Sequence, residues 1–412
     1  MSPVRKKRPA YRRGRIFLDY ASATPVLPEV KRAMDKYWSR DFYNPSAIYR
    51  EGLLIKEEIG KNRTRIARAL GISSSGVIFT ASGTESDNLA ILGTFETFRQ
   101  AQGKRVKNEK PHIIISAIEH PAIVAAAAEV VRRGGEISIL EVDKEGLVSV
   151  EVLKKLLKEN TFLVSVGLAN NEIGTIQPLS QIGRLLREYR KDHDNLYPYL
   201  HTDASQAPNY LNIGIESLQA DLLTLDGSKI YGPKGVGVLA VRRGVKIHPI
   251  IFGGEQERGR RAGTLNPALV SGFALSLEIA LRDRKKESER LETLRKYFVE
   301  FITKRQPKIV INGSSRNHLP NIISISLSGT LSEFILLKLD REGVMVSVGS
   351  ACSLDERVSG SSVITALGKT DLAEATLRFS FGRFTTSSDI RRAVEIFCLE
   401  VSRQNRRSET KN

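Results

Sequence analysis

Val77-Ile78-Phe79-Thr80-Ala81-Ser82-Gly83-Thr84-Glu85-Ser86 is an apolar run of strand length that breaks at a small-residue turn and enters a helix-length segment, Thr84–Gln102. A second apolar run, His112–Ser116, follows it. Strand, helix and strand in this order make the unit from which parallel sheets are wound. The same rhythm extends outward. Further candidate strands are Glu136–Val142, Phe162–Leu168, Tyr199–Thr202, Asp221–Leu225 and Gly237–Val241, with Val77–Phe79 as the first of the set. Helix-length segments lie at Pro121–Arg133, Val150–Lys158 and Ser180–Lys191. The strands are continuously apolar rather than alternating, which predicts a sheet covered on both faces. The expected fold is α/β, with a mainly parallel, doubly wound, seven-stranded sheet.

Near residue 285 the pattern changes. A long helix is expected from Leu265 to about Phe301, with the charge run Arg282–Arg290 on it. Beyond it come Lys308–Ile311, Ile322–Leu327, a helix over Leu331–Arg341, Val344–Ser347, Ala375–Ser380 and a last helix from Ser387. This mixture predicts a smaller α+β domain, with the chain start Ile16–Tyr20 returning to pack against it. The expected division is a basic disordered arm at 1–15, a large domain over 27–284, and a small domain made of 16–26 and 285–412.

The chain has 412 residues, 41% hydrophobic and 26% charged, enough to bury a large core. Its two cysteines, Cys352 and Cys398, exclude a disulfide framework and a multi-thiolate cluster, and no metal site is expected. No apolar stretch reaches the length of a membrane span, so no membrane association is expected and a reducing cytoplasm is the expected location. The formal charge is +17. Residues 1–15 hold seven Lys or Arg and no acid, and Arg403–Asn412 adds four more basic groups. The arm lacks the apolar region of a secretory signal. It is either a solvated tail or a contact for RNA, another polyanion or an acidic protein.

Chemistry-bearing residues gather at strand ends. Gly83 and Thr84 offer free N–H groups, a hydroxyl and a positive helix end, which make either a phosphate site or a plain N-cap. Asp203, followed by Gln206, ends a strand where parallel sheets bind ligands, or it caps the next helix. Lys229 sits in the glycine-rich turn Asp226–Gly235. A desolvated lysine there becomes a nucleophile toward aldehydes; a solvated one is a surface residue. Asn171, in Asn170–Gly174, holds a ligand or makes a turn. His120 is an acid–base group, a stacking ring or a structural residue. Cys352 lies in a polar stretch where a thiol can react, whereas Cys398 falls at helical spacing among apolar residues and reads as inert core. Arg378 is a fork for a carboxylate or a surface arginine. Taken together, a phosphate cup, a ring neighbour, an amide, an acid and a lysine meet the needs of pyridoxal 5'-phosphate.

At this point the chain resembles the cysteine desulfurases, fold-type I pyridoxal-phosphate enzymes of the class-V aminotransferase group. The matching segments run from about Phe17 to Asp389. They are Leu18-Asp19-Tyr20 with Thr24-Pro25, Asn44-Pro45-Ser46, Thr84-Glu85-Ser86-Asp87-Asn88, Asn171-Glu172-Ile173-Gly174 and Asp203-Ala204-Ser205-Gln206. They continue with Lys229–Gly235, Gln256–Thr264, Gly349-Ser350-Ala351-Cys352 and Arg378-Phe379-Ser380. The resemblance implies roles. Lys229 condenses with the cofactor aldehyde and later moves the α-proton. Asp203 pairs with the ring nitrogen and Gln206 with the ring hydroxyl. His120 stacks on the ring and shares in proton transfer. Gly83, Thr84 and Ser228 lie at the phosphate, and Thr264 reaches the phosphate of a second subunit in a homodimer. Asn44, Asn171 and Arg378 hold L-cysteine. Cys352 takes its sulfur as a persulfide, leaving L-alanine. The sulfur then passes to an acceptor protein of iron–sulfur cluster assembly or tRNA thiolation. The competing readings are a selenocysteine lyase or another class-V lyase or aminotransferase, and an inactive scaffold whose basic arms bind RNA or an acidic protein.

Two positions depart from the family pattern. Ser228 stands where a histidine usually precedes the lysine, and Asp226 stands where a phosphate-binding serine is usual. A carboxylate about 4 Å from a phosphate is repelled by roughly 4 kcal/mol per charge pair at an effective dielectric near 20. Weakened cofactor retention is therefore expected, unless Asp226 turns away, is paired or is protonated.

Overall fold

The computed structural model describes residues 14–102, 110–349 and 360–409. Most of the basic arm and all of the segment 350–359, with Cys352, therefore lie outside the described residues. The chain opens with β1 (Ile16–Phe17), α1 (Pro28–Asp35) and α2 (Arg50–Leu70). Strands and helices then alternate through β2 (Val77–Thr80), α3 (Gly83–Gln102), β3 (His112–Ser116), α4 (Pro121–Arg132) and β4 (Glu136–Leu140). The alternation continues with α5 (Val150–Leu156), β5 (Thr161–Ser165), α6 (Leu179–Asp192), β6 (Tyr199–Asp203), α7 (Ile215–Leu218), β7 (Leu222–Asp226) and β8 (Gly237–Val241).

These seven strands form one sheet in the order β2-β8-β7-β6-β5-β3-β4. Strands β3 to β7 pair in parallel, while β8 runs antiparallel to both neighbours, so β2 points the same way as the parallel set. The expected seven-stranded, mainly parallel sheet is what the chain forms. Its strands read as unbroken apolar runs because both faces are covered. Phe79, Ile114, Val164, Leu200, Leu223 and Val238 join one core. Their strand neighbours Ile78, Ile113, Ile115, Leu163, Tyr199, Leu222 and Leu239 join another, against Leu89, Phe95, Ile123 and Val130 of α3 and α4. Between β3 and β5 the winding reverses: β4 lies outside β3, and the chain then crosses back to β5. A ligand crevice opens at such a point, beyond the carboxyl ends of the strands.

A long helix, α8 (Pro267–Arg305), follows. Asn266 caps it through Leu269 N–H, and Pro267 sits where a missing N–H costs nothing. It runs through residue 285 unbroken and serves two cores: Phe273, Ala274 and Leu277 pack in the first, Leu291, Phe298 and Ile302 in another. The latter core belongs to β9 (Val310–Asn312), β10 (Ile322–Ser326), α9 (Ser332–Arg341), β11 (Val344–Met345), β12 (Ser347–Val348), β13 (Thr376–Ser380) and α11 (Ser387–Glu409), while α10 (Ser362–Ala366) packs with Ile118 and Ile173. Strands β12, β13, β10 and β9 form an antiparallel sheet. The chain start returns here, as expected, with β1 pairing in parallel with β11. The run expected as one strand, Val344–Ser347, is two: β11 turns to β1 and β12 to β13, which one straight strand cannot do. Among the described residues, no helix is long and apolar enough to cross a membrane.

Candidate active site

Strand β7 ends at Asp226 and the chain turns tightly through Gly227, Ser228 and Lys229. Gly227 is required by space, since a Cβ there would stand 2.7 Å from the Pro233 carbonyl oxygen. The chain start laces this turn in place. Thr24 N–H and Oγ1 both donate to the Ser228 carbonyl, at 2.9 and 2.7 Å, and Tyr231 N–H donates to Thr24 Oγ1 at 2.7 Å. Lys229 Nζ donates to the Ser22 carbonyl at 2.5 Å. Burial pushes its pKa down, against the charges of Asp226, Asp203 and Asp19, which push it up. A depressed pKa raises the share of free amine, the form that attacks an aldehyde.

Lys229 opens into a cavity of about 310 Å3 at the carboxyl ends of the sheet, lined also by Gly83, Thr84, His120, Asn171, Asp203, Gln206 and Arg378. The fold thus brings together eight of the residues singled out from the sequence. Asp203 ends β6, and its Oδ1 accepts from Ser205 N–H at 2.8 Å rather than capping a helix. Gln206 Nε2 donates to the Ala21 carbonyl at 2.9 Å. His120 caps α4, with Nδ1 accepting from Ala122 N–H at 3.1 Å, so a neutral ring carries its proton on Nε2. Burial lowers its pKa, which favours that neutral form. Arg378, on β13, donates through Nη1 to the Asn171 carbonyl at 2.9 Å and through Nη2 to Asp19 Oδ1 at 2.8 Å. Its Nε is buried without a partner among the described residues.

Three residues expected at the site stand elsewhere in this single chain. The Ser228 side chain is not on the cavity wall; its amide donates to Asp226 Oδ1 at 2.7 Å. Asn44 accepts from Ser46 N–H at 2.9 Å outside the cavity. Thr264 lines a separate depression with Phe79, Ala81, Arg261 and Asn266. Cys352 lies outside the described residues, yet the chain on both sides of it, Ser347 to Gly349 and Ser362 to Val363, lines the cavity wall.

Sequence reasoning missed a layer of acids under the cavity. Glu119 Oε1 accepts from Ser116 Oγ and from Gly167 N–H, and burial pushes its pKa up to about 7. Asp87 is fully buried with Oδ1 unpartnered among the described residues, and burial together with the Asp203 charge raises its pKa well above its usual value. Its neighbour His201, 3.6 Å away, is held neutral by burial at about 3, so the contact is between neutral groups and not an ion pair. Glu172, bonded by Ser361 Oγ at 2.6 Å, is likewise raised by burial to about 7. The one sequence signal was an acid a single turn into α3, whose start faces the cavity.

The donor set fits pyridoxal phosphate. A nucleophilic amine, a strand-end carboxylate and an imidazole share one cavity with a helix start, and the buried Nε of Arg378 awaits an anionic partner. The chain matches the aminotransferase class-V family over residues 16–393. A cysteine desulfurase IscS of Dictyoglomus turgidum is 41% identical over 382 residues, spanning 92% of this chain and 93% of that protein. The chain belongs to the cysteine desulfurases of the class-V family. This family's enzymes depend on pyridoxal phosphate. Another desulfurase relative, the IscS of Methanosarcina thermophila, is 39% identical over 92% of this chain and 90% of its own. Among solved structures, a NifS-like protein superposes with a TM-score of 0.85 at 30% identity, over 94% of this chain and 99% of its own. A structure described as SspA in complex with cysteine gives 0.75 at 31% identity, over 90% of this chain and all of its own.

Proposed function

We propose that the chain converts L-cysteine and the thiol of Cys352 into L-alanine and a Cys352 persulfide. The acceptor of that sulfur is a protein of iron–sulfur cluster assembly or tRNA thiolation. The observation that carries this reading is that Lys229, a desolvated amine, and Arg378, a guanidinium with an unpartnered buried Nε, open into one cavity within electrostatic reach of each other. An amino acid needs both: one group for its amine chemistry and one for its carboxylate.

When bound, pyridoxal phosphate supplies an electron sink for the bonds at the substrate's α-carbon. Asp203, facing the cavity from β6, would pair with the protonated ring nitrogen. Gln206, pinned to Ala21, would bond the ring hydroxyl. The helix start at Gly83 and Thr84 would receive the phosphate. Arg378 and Asn171 hold the substrate carboxylate, so the substrate Cα–H faces Lys229, whose free amine takes that proton. His120, neutral and with its proton on Nε2, stacks beside the reacting groups and delivers a proton. The Cys352 thiolate attacks the substrate sulfur. The S–S bond forms as the C–S bond breaks, the bonding pair stays with the β-carbon, and protonation of that carbon together with return of the α-proton from Lys229 gives alanine.

The same reading covers assembly. The stretch from 38 to 54 exposes Trp38, Phe42, Ile48, Tyr49, Leu53 and Leu54, with Ile48 92% exposed, and Phe252 stands 74% exposed. A second copy of this chain covers that apolar surface and receives Thr264, which lies outside its own chain's cavity. Residues 27–284 act as the cofactor domain, 16–26 with 285–412 act as the smaller domain, and the protein works in a reducing cytoplasm.

Purified protein given pyridoxal phosphate, L-cysteine and a reductant should release alanine and sulfide in equal amounts, and Cys352→Ala should stop sulfur release. Unchanged sulfur release by that variant would remove Cys352 from the reaction. A faster reaction with selenocysteine than with cysteine would move the substrate assignment.

A further inference from the structure

The start of α3 is the anion-binding end of the cavity, and it already holds an anion belonging to the chain. Gly83 N–H, at the first turn of this 20-residue helix, donates to Asp226 Oδ2 at 3.1 Å. Ser228 N–H donates to Asp226 Oδ1 at 2.7 Å. Both carboxylate oxygens therefore take backbone donors that a phosphate at the same place would use. The contact is close because residue 83 lacks a side chain; a Cβ there would lie 3.2 Å from Asp226 Oδ2 and 3.3 Å from Ser205 Oγ. Gly83, Thr84, Ser205 and Asp226 all line the cavity.

Among the described residues, the cations near this carboxylate are engaged elsewhere: Arg378, on the same cavity wall, is paired with Asp19. Arg261, the guanidinium that touches the first turn of α3, is paired through Nε and Nη2 with both oxygens of Glu85, at 2.8 and 3.1 Å. Ser228 brings no charge. Burial works against the charge on Lys229. Asp87, Glu119, Glu172 and Asp203, the other acids on the cavity wall, add none of the opposite sign.

We propose that Asp226 is an internal substitute for the cofactor phosphate, which caps α3 in the unloaded protein and makes this site discriminate poorly between pyridoxal phosphate and unphosphorylated pyridoxal. This rests on the reading of the cavity as the cofactor site and adds which part of the cofactor the chain recognises weakly. A phosphate entering here displaces the carboxylate from Gly83 and Ser228 or is repelled by it. The ring and the aldehyde are held from Asp203 and Lys229, and the effect of the Asp226 charge on Lys229 falls on both aldehydes alike.

The test compares wild type with Asp226→Asn, which keeps the shape and loses the charge, and with Asp226→Ser. Cofactor-free protein is titrated with pyridoxal phosphate and separately with pyridoxal, reading the visible band of the lysine adduct and its mass after borohydride reduction. Both variants should bind pyridoxal phosphate about tenfold or more tightly than wild type, with pyridoxal affinity within about twofold. Inorganic phosphate alone should raise the melting temperature of the variants and leave wild type unmoved. If wild type and variants show the same ratio of the two aldehyde affinities and the same response to phosphate, Asp226 does not compete for the site. If neither aldehyde labels Lys229 in any form, the cofactor reading fails, and the phosphate arm still decides whether Asp226 blocks an anion cup. Either variant suffices should the other not fold.

Discussion

Arg378 and Asp19 meet at 2.8 Å through Nη2 and Oδ1, although 359 residues separate them. The pair ties β13 to the segment that follows β1 and fixes the plane of the guanidinium against the cavity. A second tie, from Nη1 to the Asn171 carbonyl, leaves Nε buried without a partner among the described residues. Arginine suits this arrangement because its donors are rigidly arrayed: two can be spent on orientation while others face a ligand. Truncating it should therefore damage substrate capture more than cofactor attachment. Arg378→Ala should raise the KM for cysteine roughly 100-fold, as expected for a lost charge-assisted pair, and Arg378→Lys should recover only part of it. Steady-state kinetics beside borohydride labelling of Lys229 will show this; a variant that loses labelling but keeps its KM would place Arg378 at the cofactor instead.

Asp203 ends β6 opposite Lys229, and its charge reaches both Lys229 and His120. Replacing it with asparagine keeps the shape and removes the charge that we propose holds a ring nitrogen protonated. Asp203→Asn should lower kcat by about 100-fold or more while the visible cofactor band persists. A kcat within about threefold of wild type would show that this carboxylate does not serve the ring.

Glu119 and Glu172 give the cofactor-free protein a pH-dependent stability. Burial raises each from 4.5 to about 7. Below pH 4.5 both are protonated folded or unfolded, and their contribution is complete. As pH rises from 4.5 toward 7 the unfolded chain ionises first, so stability falls, by on the order of 3 kcal/mol for each. Glu119→Gln should lose less stability than wild type between pH 5 and pH 7.5 in urea unfolding, and adding Glu172→Gln should flatten the curve further. Parallel curves for wild type and variants would mean that neither acid is neutral in the folded state.

Much of this architecture was legible in the chain. The bounds of β3 and β8 follow from their apolar runs alone, and the strand-end positions of Asp203 and Lys229 follow from the rhythm of strands and turns. Cys398 is half-buried beside the smaller core, with its thiol pushed up by burial, as its helical spacing suggested. The acid layer was not legible. Asp87 reads as an ordinary polar residue in the first turns of α3, and its burial follows only once β6 and β7 pack beneath it. His201 likewise lies inside an apolar-looking strand, and its partners Ser165 and Thr224 come from the strands on either side. The bond between Asp226 and Gly83 joins residues 143 positions apart; the sequence showed an unexpected acid but not where its oxygens point.

The apolar surface of residues 38–54 yields a prediction about assembly. Leu53→Glu combined with Leu54→Glu places charges on α2 where both side chains are half exposed. Sedimentation should show wild type as a dimer and the double variant as a monomer, with turnover lost because Thr264 no longer reaches a partner's cavity. A monomeric wild type with full turnover would dismiss the shared site.

The most direct test of the account is the chemical fate of Lys229. Protein incubated with pyridoxal phosphate, reduced with borohydride and digested should carry a single pyridoxyl group on the peptide containing Lys229, and cysteine added before reduction should prevent that label by releasing the amine. A label on another lysine, or none with the visible band absent, would contradict the account.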